Sequence, residues 1–115
     1  MTSSGSPYSR FRRALATGNL SVVRAAAAEL PAVDLADALA ICLLMSMRDD
    51  ERFERAAVRW LARLALERPA VGLGELRSGL VAFEAMPYNP AAARETLAEL
   101  CERVGVPGAV RVLRR

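Results

Sequence analysis

Asp50–Arg68 reads D-E-R-F-E-R-A-A-V-R-W-L-A-R-L-A-L-E-R. Wound at about 100° per residue, Phe53, Ala57, Trp60, Leu61 and Leu64 fall on one side. Arg48, Arg52, Arg55, Arg59 and Arg63 fall in a narrow arc on the other. This two-sided pattern predicts a long helix with one face in a core and a ladder of guanidinium groups opposite. Pro69 ends it, because the residue before a proline is pushed out of the α region.

The helix before it has a different character. Asp34 is placed as an N-cap, and Asp37 falls in the first turn, where an acid favours the positive end of the dipole. After Asp37, Leu35–Met47 carries no charge, and Leu39, Ile41, Cys42, Leu43, Leu44, Met45 and Met47 cover nearly its whole circumference. A helix apolar all round is packed on several sides.

The rest of the chain reads as helices cut by Gly and Pro. Met1–Ser9 is small and polar and is expected to be a flexible N-terminus, with a single helical domain over residues 10–115. Arg10–Thr17 forms a short helix that stops at Gly18-Asn19, and a second runs from Leu20 to Glu29 ahead of Pro31. Asp49 or Asp50 is expected to cap the long helix. Leu73–Ala85 is a weaker helix, interrupted by Gly74 and Gly79. Asn89-Pro90 is a helix start, with the cap side chain followed by Pro at the first helical position. That helix runs to Val104 and stops at Gly105, and Pro107–Leu113 is a last short helix. No segment reads as a strand. The fold class is all-α, with six or seven antiparallel-packed helices.

Pro31, Pro69 and Pro107 are spaced 38 and 38 residues apart. Glu29-Leu30-Pro31-Ala32-Val33-Asp34-Leu35 matches Glu67-Arg68-Pro69-Ala70-Val71-Gly72-Leu73, and the third copy shrinks to Val106-Pro107-Gly108-Ala109. A period near 40 with two helices per unit resembles the HEAT and armadillo class of helical repeats. The resemblance covers residues 20–115 and implies a short stack of helix pairs; an irregular helical bundle is the alternative. The chain also looks like small uncharacterised actinobacterial helical proteins, a resemblance that implies no activity.

Composition narrows the chemistry. Hydrophobic residues make up 53% of the 115 residues, enough to build a core. The sequence has no Lys, His or Gln and one Ile, and all sixteen cations are Arg. That usage fits a high-GC genome, so Arg in place of Lys is weak evidence for bidentate recognition. Without His, nucleophilic triads, HExxH zinc sites and Glu-x-x-His di-iron sites are excluded. Without Lys, a Walker A motif and a pyridoxal Schiff base are excluded. Gly72-Leu73-Gly74-Glu75-Leu76-Arg77-Ser78-Gly79 lacks the spacing of a nucleotide loop. Asp49, Asp50 and Glu51 are read as helix-start acids and not as metal ligands. No enzyme activity, cofactor or small-molecule substrate is expected. Cys42 and Cys101 lie in apolar helical contexts and are expected as buried thiols in a reducing compartment. No signal peptide or membrane span is legible, which points to a cytoplasmic protein.

The remaining candidates are for binding. Arg52, Arg55, Arg59 and Arg63 stack along one helix face. They could meet an acidic protein partner or track the phosphates of a nucleic acid. They could equally form a solvated face, since Glu51 is spaced to pair with Arg55, Glu67 with Arg63 and Asp49 with Arg52. Arg59 has no acid three or four residues away. Tyr88, between Pro87 and Pro90, lies in a rigid loop, a candidate for binding or for packing on the neighbouring helix. The expected function is a non-enzymatic adaptor that meets a protein partner, or a second copy of itself, through a helix face. A nucleic-acid-binding accessory protein is the alternative. A helix-turn-helix is set aside, because its reading helix would begin Asp34-Leu35-Ala36-Asp37-Ala38, and acids repel phosphates.

Overall fold

The computed structural model describes residues 5–115. They form seven helices: α1 (Pro7–Thr17), α2 (Leu20–Ala28), α3 (Leu35–Met47), α4 (Phe53–Glu67), α5 (Leu73–Ala85), α6 (Pro90–Val104) and α7 (Pro107–Leu113). Among the described residues there is no strand. The chain divides into two compact units after Asp34.

In the first unit α1 starts three residues earlier than the sequence reading placed it. Ser6 Oγ accepts the Ser9 N–H at 3.0 Å and Pro7 occupies the first turn. The expected flexible segment 1–9 thus includes helix from Pro7 on, and its first four residues lie outside the described ones. Gly18, in the left-handed conformation (φ 68°), ends α1, and Asn19 accepts the Val22 N–H to start α2. The two helices pack as a hairpin with Phe11, Ala14 and Val23 buried. Arg10 bridges to Glu29 at 2.8 Å on the outside.

In the second unit each helix packs on its neighbours in sequence, and α7 returns to pack on α3. The unit is all-helical, and the α3–α7 contact joins its first helix to its last. The 38-residue proline spacing coincides with helix pairing: Pro31 precedes α3 and α4, Pro69 precedes α5 and α6, and Pro107 opens α7. Close approach at the closing contact depends on Gly108, where a Cβ would come within 3.2 Å of the Ala36 Cβ.

Trp60 ties α4 to α3. Its indole N–H donates to the Leu35 carbonyl at 2.8 Å, fully buried. Phe83 of α5 meets both Phe53 and Trp60 edge-on, with ring centroids 6.1 and 5.9 Å away. Gly79 lets α5 come this close, since a Cβ there would lie 2.5 Å from Leu61 Cδ2 and 3.5 Å from Leu100 Cδ2. The far end of the unit is closed by arginine. Arg94 donates to the Val112 and Leu113 carbonyls at 3.0 Å each, satisfying the end of α7. Arg114 binds Glu95 and Glu102 of α6 at 2.7 and 2.9 Å.

The α3–α4 junction differs from expectation. Asp49 does not cap α4; it ends α3. Its φ is 52°, and the Asp50 N–H donates to Met45 O while the Asp49 N–H donates to Ser46 O. These are the two bonds of a Schellman ending, with an aspartate where glycine is usual. Asp50 then accepts the Arg52 N–H at 2.8 Å through Oδ1, three residues ahead of Phe53, where α4 starts. The cap position itself is Arg52, which offers no side-chain acceptor.

Candidate binding site

The arginine ladder is broken by the way α4 begins. Arg52 lies outside the helix, and its guanidinium folds back onto both Asp50 oxygens at 2.9 and 2.8 Å. The side-chain bond to Asp50 holds the Arg52 pKa up. Arg63 is held by Glu67 at 2.6 Å, as the i,i+4 spacing predicts. The other two expected pairs do not form. Glu51 precedes the first turn, so it is not on the helix face beneath Arg55, and Arg52 takes Asp50 in place of Asp49. Among the described residues Arg55 and Arg59 have no ion-pair partner, and both are exposed. Four expected ladder positions thus reduce to two available guanidinium groups. Elsewhere, Arg10 is engaged by Glu29 and Arg114 by two glutamates.

A different feature lies on the α5 flank of α4. Between α4 and α5 runs a groove of about 320 Å³. Its floor is Phe53, Ala57, Leu61 and Phe83, all core residues. Its rims are Val58 on α4 and Leu80 on α5, 50% and 46% exposed. Tyr88 stands at its mouth next to Pro87 and is 87% exposed. At that exposure Tyr88 is not packed against the neighbouring helix. The loop that presents it is fixed by two backbone bonds, from the Tyr88 and Asn89 N–H groups to Ala85 O at 2.9 and 2.8 Å. Asn89 also caps α6.

Glu54 and Glu84 complete the lining, both exposed. Neither has an ion pair or side-chain hydrogen bond among the described residues. The groove therefore offers apolar surface along its length and negative charge at the Tyr88 end. Apart from Tyr88, sequence reasoning did not select its residues. Val58 is the one signal available: a large aliphatic on the flank of α4, outside the apolar arc. Its partner Leu80 lies 22 residues away, and only the α4–α5 packing joins them.

A second depression, of about 450 Å³, lies over the α6–α7 corner among Gly105, Val106, Val110 and Arg111. Its one carboxylate, Glu102, is already held by Arg114, which also lowers its pKa. Cys42 and Cys101 are buried free thiols whose pKa burial pushes up to about 11. A thiol so held is neutral at physiological pH and a poor nucleophile. Among the described residues no group of three His, Cys, Asp or Glu side chains could hold a metal ion, and no helix is long and apolar enough to cross a membrane.

Compared with protein-family models, with curated proteins and with solved structures, the chain matches none of them.

Proposed function

We propose that the protein is a non-enzymatic binding module that takes a short amphipathic helix of a protein partner into the α4–α5 groove. The observation that carries this is the convergence of Val58, Leu80 and Tyr88, all exposed, on one apolar concavity. Single exposed apolar side chains are ordinary, but several around one hollow mark a contact surface. Helix-in-groove recognition seats apolar anchors spaced three and four residues apart in such a hollow. A tyrosine at the rim supplies a large contact with few rotatable bonds. The non-enzymatic part is supported by the lack of any His or Lys for proton transfer or nucleophile activation. Cytoplasmic residence is supported by two unpaired cysteines.

The test is a charge-unbiased library of helical peptides panned against the full chain. Enriched peptides should compete with one another and lose at least about tenfold in affinity on Leu80→Glu, which puts a charge into the groove. Enrichment of peptides indifferent to Leu80→Glu contradicts the groove as the site. Sedimentation of the protein alone separates a foreign partner from a second copy.

Nucleic-acid binding through α4 is the second reading, favoured by Arg55 and Arg59, which have no ion-pair partner among the described residues. Magnitude counts against it. Two phosphate contacts give a log–log salt slope near −1.8, whereas nucleic-acid binders commonly make about 6–10 such contacts. A gel shift at low salt that disappears in Arg55→Ala/Arg59→Ala would favour this reading.

A further inference from the structure

We infer that the segment accepted by the α4–α5 groove is cationic: an amphipathic helix whose aliphatic side chains are followed, within a turn, by Arg or Lys. The inference rests on the groove being the binding site and adds the chemistry of its occupant.

Charge complementarity selects the occupant. Glu54 is the second residue of α4 and Glu84 the penultimate residue of α5, and the antiparallel packing brings both to the end of the groove beside Phe53, Phe83 and Tyr88. Most acids of this chain are engaged. Glu29 holds Arg10, Asp50 holds Arg52, Glu67 holds Arg63, and Glu95 and Glu102 hold Arg114. Glu75 accepts the Gly72 N–H at 2.8 Å, a bond that lowers its pKa. Among the described residues five acids are left without such partners, Asp49, Glu51, Glu54, Glu84 and Glu99, and of these only Glu54 and Glu84 line the groove.

Local structure accounts for Glu54, because an acid in a first turn complements the helix dipole. It does not account for Glu84. That carboxylate lies in the last turn of α5, where the dipole disfavours a negative charge. Its position is unfavourable for the helix alone and favourable for a cation arriving over the groove. No arginine lines the groove, so an incoming guanidinium or ammonium would meet two carboxylates and the Tyr88 ring with no competing cation among the lining residues. An acidic segment would instead place like charges against Glu54 and Glu84.

The experiment uses the full chain and three dye-labelled peptides with one identical leucine face, flanked by Arg, by Gln or by Glu. The Arg-flanked peptide should bind about tenfold more tightly than the Glu-flanked one at low salt. The difference should close by about 0.5 M salt, because both carboxylates are solvent-exposed. Glu54→Gln/Glu84→Gln should weaken the Arg-flanked peptide about fivefold and leave the Gln-flanked peptide within about twofold. Equal affinity for all three peptides overturns the cationic assignment; if Leu80→Glu then abolishes all three, the groove itself stands. An Arg preference that survives in the double Gln variant also overturns it, since the cations would be read elsewhere. Failure of every peptide to bind overturns it too, and the library panning then decides the groove independently.

Discussion

Asp49 carries the one non-glycine positive φ among the described residues, at a junction that sets where α4 begins. Left-handed backbone is tolerated by Asp better than by most residues, yet glycine adopts it without a Cβ penalty. Asp49 also places a negative charge at the end of α3, where the dipole is unfavourable to it. Asp49→Gly should therefore stabilise the protein by about 1 kcal/mol, read as a higher urea midpoint at unchanged slope. A lower midpoint would mean that the Asp49 side chain has a role in holding the turn. This junction was not legible from the sequence for a definite reason. Asp49-Asp50-Glu51 carries the composition of a helix start, and nothing in it announces that Asp49 belongs to the preceding helix. Ser6-Pro7 is the opposite case. It is the same cap-then-proline signal that correctly placed α6 at Asn89-Pro90, but it lies in a run of small polar residues that reads as a tail.

The helices themselves were largely legible, because glycine and proline ended them and the apolar arc of α4 oriented it. Gly18, Pro31, Pro69 and Gly105 stop helices where expected. The Trp60 indole meets α3, as the apolar face required. What the local pattern could not give was pairing between elements. Pairing Glu51 with Arg55 requires an α4 capped at Asp49 or Asp50; it begins at Phe53, so Glu51 is off the helix and Arg55 has no ion-pair partner among the described residues. The groove depends on α5 approaching α4, and that approach depends on one of two glycines that look alike in the sequence. Gly79 faces Leu61 and Leu100; Gly74 has nothing within 4 Å of where a Cβ would lie. Ala at either site gains helix propensity, worth about 0.5–1 kcal/mol. At Gly74 that gain should appear in full. At Gly79 the displaced, buried Leu61 should cost about 1–3 kcal/mol, making Gly79→Ala neutral to destabilising by about 2 kcal/mol. Thermal unfolding of the two variants checks this, and equal stabilisation by both would contradict the packing at the α4–α5 contact.

Taken as a whole, the chain has an unusual titration. With no His and no Lys, few groups change charge between the carboxylates and the alkaline range. Cys42 and Cys101 do, and burial raises each from 9.0 to about 11. A group whose pKa is raised on folding contributes stability that is complete below the unfolded value. Stability should therefore hold below about pH 9 and fall as pH rises from there toward 11, as thiolates form in the unfolded chain. Urea midpoints measured across this range should fall in the natural sequence and stay flatter in Cys42→Ala/Cys101→Ala. A double variant with the same slope would show that the thiols are not the cause.

At the scale of the whole molecule, two surfaces of α4 compete as the binding face. One is the groove with Val58, Leu80, Glu84 and Tyr88; the other is the outward stripe with Arg59, Ala62 and Leu66. An amide-resolved NMR titration of the full chain with the Arg-flanked leucine peptide separates them. The groove account predicts shifts concentrated at Val58, Leu80, Glu84 and Tyr88, with Arg59, Ala62 and Leu66 still. Shifts centred on Arg59, Ala62 and Leu66, with Leu80 and Tyr88 unmoved, would contradict it.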